Sequence, residues 1–279
     1  MTPVAYTQST AGLKAYDAGE VDSMYASMQQ LDQYLKEYGP FDPATYKRTR
    51  PLALFAPMYE LSYYAIIRTE DADHIKSWSD FAGKKVFPQM KGTGTYELLK
   101  IGLGPDGLDI WDELDIKQFD LNQSADALKL KEVDVVFGYS ASGAPAAYVE
   151  ETITRSDVRV IVPTPEELEK MLATAPYFSN VELDGSDFSK NVGLTGKHGT
   201  LGYGYVYFVN PEMDEEVVYQ ATKALCENSE EMGQIAKLLT AYAEDPLGYS
   251  EKILKQAEAL GATIHPGVKR YFAEQNRPL

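Results

Sequence analysis

Two periods of apolar residues alternate along the chain. Short apolar or alternating runs predict strands over residues 4–8, 21–27, 52–56, 63–68, 84–89, 116–119, 133–139, 158–162 and 203–209. Between them, apolar residues recur at helical spacing. They predict helices over 11–18, closed by Gly19; over 29–38, ended by Gly39-Pro40; and over 96–103, 124–130, 144–152 and 166–173. Four more follow over 215–228, 232–242, 250–260 and 268–275, and residues 78–82 read as a single helical turn ahead of Gly83. Residues 41–50 are a polar loop, and residues 185–200 are polar, contain glycine and show no period. Strands alternating with helices predict an α/β fold with mostly parallel sheets.

One pattern occurs twice. A helix containing Ala15 runs through a short turn into Glu20-Val21-Asp22 and a strand. A second, containing Ala127, runs into Glu132-Val133-Asp134 and another strand. The echo predicts two lobes of similar topology.

Composition narrows the function. The formal charge of −16 and a pI near 4.6 exclude the basic footprint that nucleic acid needs, and argue against docking on anionic lipid. Acidity on this scale favours solubility and does not imply a cationic ligand. No run reaches the roughly 18 apolar residues of a membrane span. Met1-Thr2-Pro3-Val4 lacks a basic segment followed by an apolar one, so no signal peptide is expected in this chain. The single cysteine, Cys226, excludes an internal disulfide and reads as a small core residue of a helix.

Candidate chemistry rests on a recurring junction. A strand ends, small or hydroxyl residues follow, and a helix begins. This happens at Gln8-Ser9-Thr10-Ala11-Gly12, Ser27-Met28-Gln29, Lys91-Gly92-Thr93-Gly94-Thr95 and Ser140-Ala141-Ser142-Gly143. Unbonded N–H groups at a helix N-terminus favour an anion, and ligands of α/β sheets sit beyond the carboxyl ends of strands. The alternative for each loop is a simple helix cap. The glycines at 92 and 94 let backbone approach a ligand closely, which makes that loop the strongest of the four. Tyr59, Tyr63, Tyr64, Tyr203, Tyr205 and Tyr207 suit either a cleft wall or a core.

Other chemistries find no support. Gly102-Leu103-Gly104-Pro105-Asp106-Gly107 matches a dinucleotide fingerprint in letters, but follows a helix and contains proline, so it reads as a helix-ending turn. His74, His198 and His265 are scattered, and no metal site or cofactor is expected. No nucleophile elbow or phosphate loop is present, and the acidic pairs fall on helix surfaces.

The order of several motifs resembles a known family. Gln8 to Gly12 is similar to a Ser-Thr-Gly-Gly loop, and Gly19-Glu20-Val21-Asp22 to a helix-to-strand turn. Gly39-Pro40-Phe41, Asp80 to Val86, Gly92-Thr93-Gly94-Thr95, Ala125 to Leu128 with Val133-Asp134, and His265-Pro266-Gly267 follow in sequence. Together they resemble the TAXI family of substrate-binding proteins from TRAP transporters. The resemblance implies a two-lobed, type II periplasmic-binding fold with crossing hinge strands and a central cleft. Lobe I would hold residues 1–83 and 204–279, and lobe II residues 84–203. It implies a monomeric, non-enzymatic receptor, periplasmic or extracellular, that takes glutamate or another small carboxylate and hands it to the membrane subunits of a TRAP transporter. Carried over, the ligand-binding residues are Ser9, Thr10, Tyr59, Gly92, Thr93, Gly94, Thr95, Ser140 and Ser142. Ser27-Met28-Gln29 departs from the family's Gln-Ser-Asp, which leaves the ligand's identity open.

The resembled family begins with a further strand, loop and helix. Their absence predicts an incomplete first lobe with an exposed apolar groove. The rival readings are a ligand-sensing module on the same fold, an enzyme on that fold, or a product that binds nothing.

Overall fold

The computed structural model describes residues 4–6 and 9–279, with Ser9 described by its backbone alone. Residues 4–6 form no strand, and the rest of the run expected over 4–8 lies outside the described residues. Helix α1 (Ser9–Asp17) buries Leu13 and Tyr16 and is followed by Gly19, whose φ of +78° suits a residue without Cβ. Strand β1 (Ser23–Ser27) leads directly into α2 (Met28–Lys36). Ser27 closes a capping box there, its Oγ accepting from the Gln30 N–H at 3.2 Å.

The two apolar runs expected over 52–56 and 63–68 are one strand, β2 (Ala53–Arg68). Polar residues between them stay in the strand because they find partners. Glu60 Oε2 accepts from Lys252 Nζ at 2.7 Å, and Ser62 Oγ donates to the Ser140 carbonyl at 3.4 Å. Then come β3 (Lys85–Phe87), α3 (Gly94–Gly102), β4 (Asp115–Ile116), α4 (Ser124–Lys129), β5 (Val135–Ala141), β6 (Ala144–Pro145), α5 (Ala147–Arg155), β7 (Val158–Ile161) and α6 (Pro165–Leu172). After these are β8 (Ser179–Asp184), β9 (Lys197–Val209), α7 (Glu215–Glu227), α8 (Ser229–Ile235), α9 (Thr240–Glu244), α10 (Pro246–Ala259), β10 (Thr263–Ile264) and α11 (Pro266–Glu274).

Three differences from the sequence pattern have physical causes. β8 buries Val181 and Leu183 only, too few apolar residues to announce a strand. It pairs with β9 from Ser179↔Gly202 to Asp184↔Lys197, so β9 starts earlier than its aromatic half suggests. Gly202 is required there, since a Cβ would lie 2.0 Å from the Leu61 carbonyl oxygen. The helix expected over 232–242 breaks at Ala236, which is extended, and α8 and α9 fold onto each other. Gly233 permits this, because a Cβ on it would meet the Ala243 methyl at 2.5 Å.

The chain divides into two compact units, Met1–Glu60 with Tyr203–Leu279, and Leu61–Gly202. The first division falls inside β2 rather than after Gly83, because residues 61–68 pair with strands of the second unit. In the first unit β1 runs antiparallel to β9, from Ser23↔Val209 to Ser27↔Tyr205, and β10 runs parallel to β2. Its core packs Tyr16 on Phe208 (4.8 Å between ring centroids) and Tyr34 on Phe41 (5.2 Å). Among its described residues, the exposed large apolar ones, Val4, Tyr38, Val217 and Ile235, sit on separate segments.

In the second unit β3 runs parallel to both β4 and β5, as β3–α3–β4–α4–β5 connections require. β2 is antiparallel to β5 and β7, β5 to β6, and β8 to β9. The pairing is therefore mixed, not mostly parallel. Helix alternation sets the direction of strands joined by crossovers, but β2 and β9 each carry residues of both units, and their direction is set elsewhere. The core gathers Tyr64, Ile66, Phe87, Leu128, Val136, Val149 and Ile153.

The Glu-Val-Asp echo is structural. Gly19 N–H donates to Tyr16 O and Glu20 N–H to Ala15 O; Lys131 N–H donates to Leu128 O and Glu132 N–H to Ala127 O. The left-handed residue ending the helix is Gly19 (φ +78°) in one copy and Lys131 (φ +61°) in the other. An arginine then binds each turn. Arg50 donates to Tyr16 O, Val21 O and Asp22 Oδ1; Arg68 donates to Leu128 O, Val133 O and Asp134 Oδ1.

Candidate functional site

The candidate site lies in the second unit where β3 ends. β3 and β5 are parallel, with Phe87 opposite Val136, so their carboxyl ends lie on one edge of the sheet. Beyond Phe87 the chain reverses through two left-handed residues, Gln89 (φ +82°) and Gly92 (φ +88°). Gln89 is buried, and its Nε2 donates to the Phe137 carbonyl at 3.1 Å and to the Tyr148 hydroxyl. Tyr148 in turn donates to Phe137 O at 3.0 Å. Burial holds the Tyr148 phenol far above its ordinary pKa, so it stays a neutral donor.

Thr93 caps α3. Its Oγ1 accepts from the Tyr96 N–H at 3.2 Å and donates to Met90 O at 2.8 Å, while Glu97 N–H bonds Thr93 O at 3.2 Å. A helix N-terminus has four N–H groups without intrahelical partners. Thr93 Oγ1 satisfies that of Tyr96, and the Thr93 N–H itself bonds Met90 O at 3.1 Å. The N–H groups of Gly94 and Thr95 have no acceptor among the described residues, and Gly94 is exposed. Lys91, also exposed, forms no ion pair among the described residues despite the acidity of the chain. The arrangement offers two adjacent N–H donors, the helix dipole and an unpaired ammonium, which together suit an anion. Thr95 is buried on the inner stripe of α3 with Leu98, Leu99 and Gly102.

The other residues singled out from sequence are placed differently. Ser140 is fully buried, its Oγ 2.9 Å from the Tyr64 hydroxyl. Gly138 makes room for that contact, because a Cβ there would lie 2.9 Å from the Tyr64 ring. Ser142 (φ +45°) and Gly143 (φ +81°) are the two turn residues of the β5–β6 hairpin. The junction at 140–143 thus leads to a strand, not to a helix N-terminus; two left-handed residues make a hairpin turn there, and α5 begins later with no side-chain cap at Ala146. Ser27 is committed to its capping box.

Thr10 lies half-buried in the first turn of α1; Gln8 and the side chain of Ser9 lie outside the described residues. Tyr59, in the first unit, stacks at a tilt on Tyr205, 4.9 Å between centroids. Tyr25 packs against Tyr205 and Tyr207. These four half-buried rings cover one sheet face of that unit.

Residues 92–95 stand out in the sequence, whereas Gln89, Tyr148 and Gln118, which hold this loop, do not. A polar side chain that bonds backbone leaves no periodic signal. A cavity of about 230 Å³ elsewhere in this unit is lined by Arg155, Ser156, Lys190 and Asn191. Its cations are already engaged, Arg155 by Glu151 and Asp126 and Lys190 by the Thr154 carbonyl. Among the described residues no cluster of His, Cys, Asp or Glu could hold a metal, and no helix is long and apolar enough to cross a membrane.

Several solved structures are similar to this chain at low identity. The periplasmic aliphatic sulphonate binding protein SsuA from Escherichia coli is 14% identical, with a TM-score of 0.46 over 98% of this chain and 68% of that one. XAC2383 from Xanthomonas citri, bound to ATP, is 13% identical, with a TM-score of 0.46 over 96% and 84%. The probable amino-acid ABC transporter extracellular-binding protein ytmK from Bacillus subtilis is 12% identical, with a TM-score of 0.43 over 84% and 76%. At this depth the likeness assigns no ligand. No curated protein matches the sequence. The family itself is shown by a family model that matches residues 5–275: the chain belongs to the NMT1-like family.

Proposed function

We propose that this protein is a solute-binding receptor that captures a small carboxylate-bearing solute for a membrane transporter and catalyses no reaction. The observation that carries the reading is the pair of unbonded N–H groups of Gly94 and Thr95, in the loop that follows the carboxyl end of β3 and also carries the exposed Lys91. A carboxylate accepting both would make two charge-assisted bonds, each worth about 1.5–3 kcal/mol. Gly92, Thr93, Gly94 and Thr95 are the site residues in this reading, with Thr93 shaping the loop through its cap. The resemblance to TAXI proteins supports a TRAP-type transporter as partner and a periplasmic or extracellular setting. Ser140 and Ser142 support structure rather than ligand.

The test removes one donor and keeps the helix. Gly94 is the first helical residue, and Thr93 before it is extended (φ −83°, ψ 154°), so proline fits at 94 and deletes only the N–H. A thermal-shift screen of L-glutamate, other amino acids and dicarboxylates identifies a ligand. Calorimetry of Gly94→Pro should then show affinity at least tenfold weaker, with Gly94→Ala binding as the wild type does. A Gly94→Pro protein that binds normally, or a wild type that binds no carboxylate in the screen, removes the reading.

A further inference from the structure

The loop that presents Gly94 and Thr95 is gripped by one side chain from outside it. Gln118 follows β4, in a run whose pattern predicts a strand to residue 119 but whose pairing stops at Ile116. Freed from the sheet, its side-chain amide takes the role of a neighbouring strand. Nε2 donates to Gln89 O at 3.1 Å, and Oε1 accepts from the Lys91 N–H at 2.8 Å, bracketing Met90. Nε2 also donates to Lys117 O at 3.0 Å, which ties the amide to its own backbone.

The bracketed segment needs such a grip. Gln89 is a non-glycine residue held at φ +82°, a conformation that persists only where its surroundings impose it. The buried Gln89 amide fixes the start of the loop on Phe137 and Tyr148, and the Thr93 cap fixes its end. Between these anchors the Lys91 N–H bonds Gln118. We propose that Gln118 is the positioning residue of the anion site: it sets the path of residues 89–92 and through it the aim of the Gly94 and Thr95 N–H groups. This rests on the binding site proposed above for those two amides.

Two variants test it. Gln118→Leu removes donor and acceptor. Gln118→Glu keeps an acceptor for Lys91 and loses the donor to Gln89. Amide hydrogen exchange of the ligand-free protein should speed up at least tenfold at Lys91 in Gln118→Leu, and return towards wild type at Lys91 in Gln118→Glu. A purely packing role would not separate the two. Calorimetry with L-glutamate should show at least tenfold weaker binding to Gln118→Leu, with a melting temperature close to that of the wild type. Unchanged exchange at Lys91 overturns the proposal, as does faster exchange with unchanged affinity. If the wild type itself binds no L-glutamate while Gln118→Leu loosens the loop, the grip on the loop stands and the anion reading of the site falls.

Discussion

Arg68 donates from Nη1 to the Val133 carbonyl at 2.6 Å, and Arg50 repeats the contact on Val21 at 2.7 Å. The turns match residue for residue, yet the arginines come from unrelated positions, one before its turn and one after. Each guanidinium reads a helix-end carbonyl, the valine carbonyl and the aspartate that opens the strand. The two are not equally strong. Asp134 is well covered and 2.9 Å from Arg68, whereas Asp22 is exposed and 3.5 Å from Arg50. Arg68→Ala should destabilise by about 2–4 kcal/mol and Arg50→Ala by about half that, since each leaves carbonyls unpaired. Urea denaturation that ranks them the other way contradicts this.

Lys131 occupies the left-handed position that Gly19 fills in the other copy. Its ion pair with Glu70 is between exposed groups and contributes little. Lys131→Gly should therefore stabilise the protein by about 0.5–1 kcal/mol, and Gly19→Ala should destabilise it by about 1 kcal/mol. Thermal unfolding of both variants gives the answer; a loss of stability on Lys131→Gly would show that its side chain matters more than its backbone.

Asp17 ties residues 46–50 to α1 and gives the first unit a pH dependence. Burial raises its pKa. Bonds from the Tyr46 hydroxyl (2.7 Å), the Thr49 and Arg50 N–H groups (2.9 and 2.7 Å) and the Tyr34 hydroxyl (2.9 Å) outweigh that, and the net shift is downward. A carboxyl depressed in the folded state stabilises above its unfolded pKa, about 3.9, and loses that contribution as pH falls through the folded value. Asp17→Asn should be less stable at pH 7 by about 1–3 kcal/mol. Below about pH 4 the gap should narrow. A gap that is constant from pH 7 to pH 3 would contradict the assignment.

Ser140 and Tyr64 form a buried hydroxyl pair, so Ser140→Ala leaves the Tyr64 hydroxyl without its partner. Denaturation should show a loss of about 1–3 kcal/mol, with ligand affinity unchanged. A binding defect without a stability defect would return Ser140 to the site.

Legibility followed the physics of each signal. Helices with a buried stripe, such as α1 and α7, were readable because burial imposes a period. The Glu-Val-Asp turns were readable because helix stop, turn and strand start each need particular residues. β8 was not, since its polar edge leaves no pattern; nor was the unity of β2, which rests on partners far away in sequence for Glu60 and Ser62. In the site, glycine and threonine marked 92–95, but the same residue types at 140–143 make a hairpin. Backbone pairing with β6 decides between the two, and that partner is invisible in the loop itself. Gln89 and Gln118 act through backbone carbonyls and amides, which sequence does not display.

The proposed function requires two amide protons at the start of α3 to receive the anion. Amide proton and nitrogen shifts of Gly94 and Thr95, followed by NMR while L-glutamate or another bound carboxylate is titrated in, report on those protons directly. Both should move downfield in the proton dimension and saturate with the calorimetric affinity. Saturable binding that leaves these two resonances in place would contradict the account.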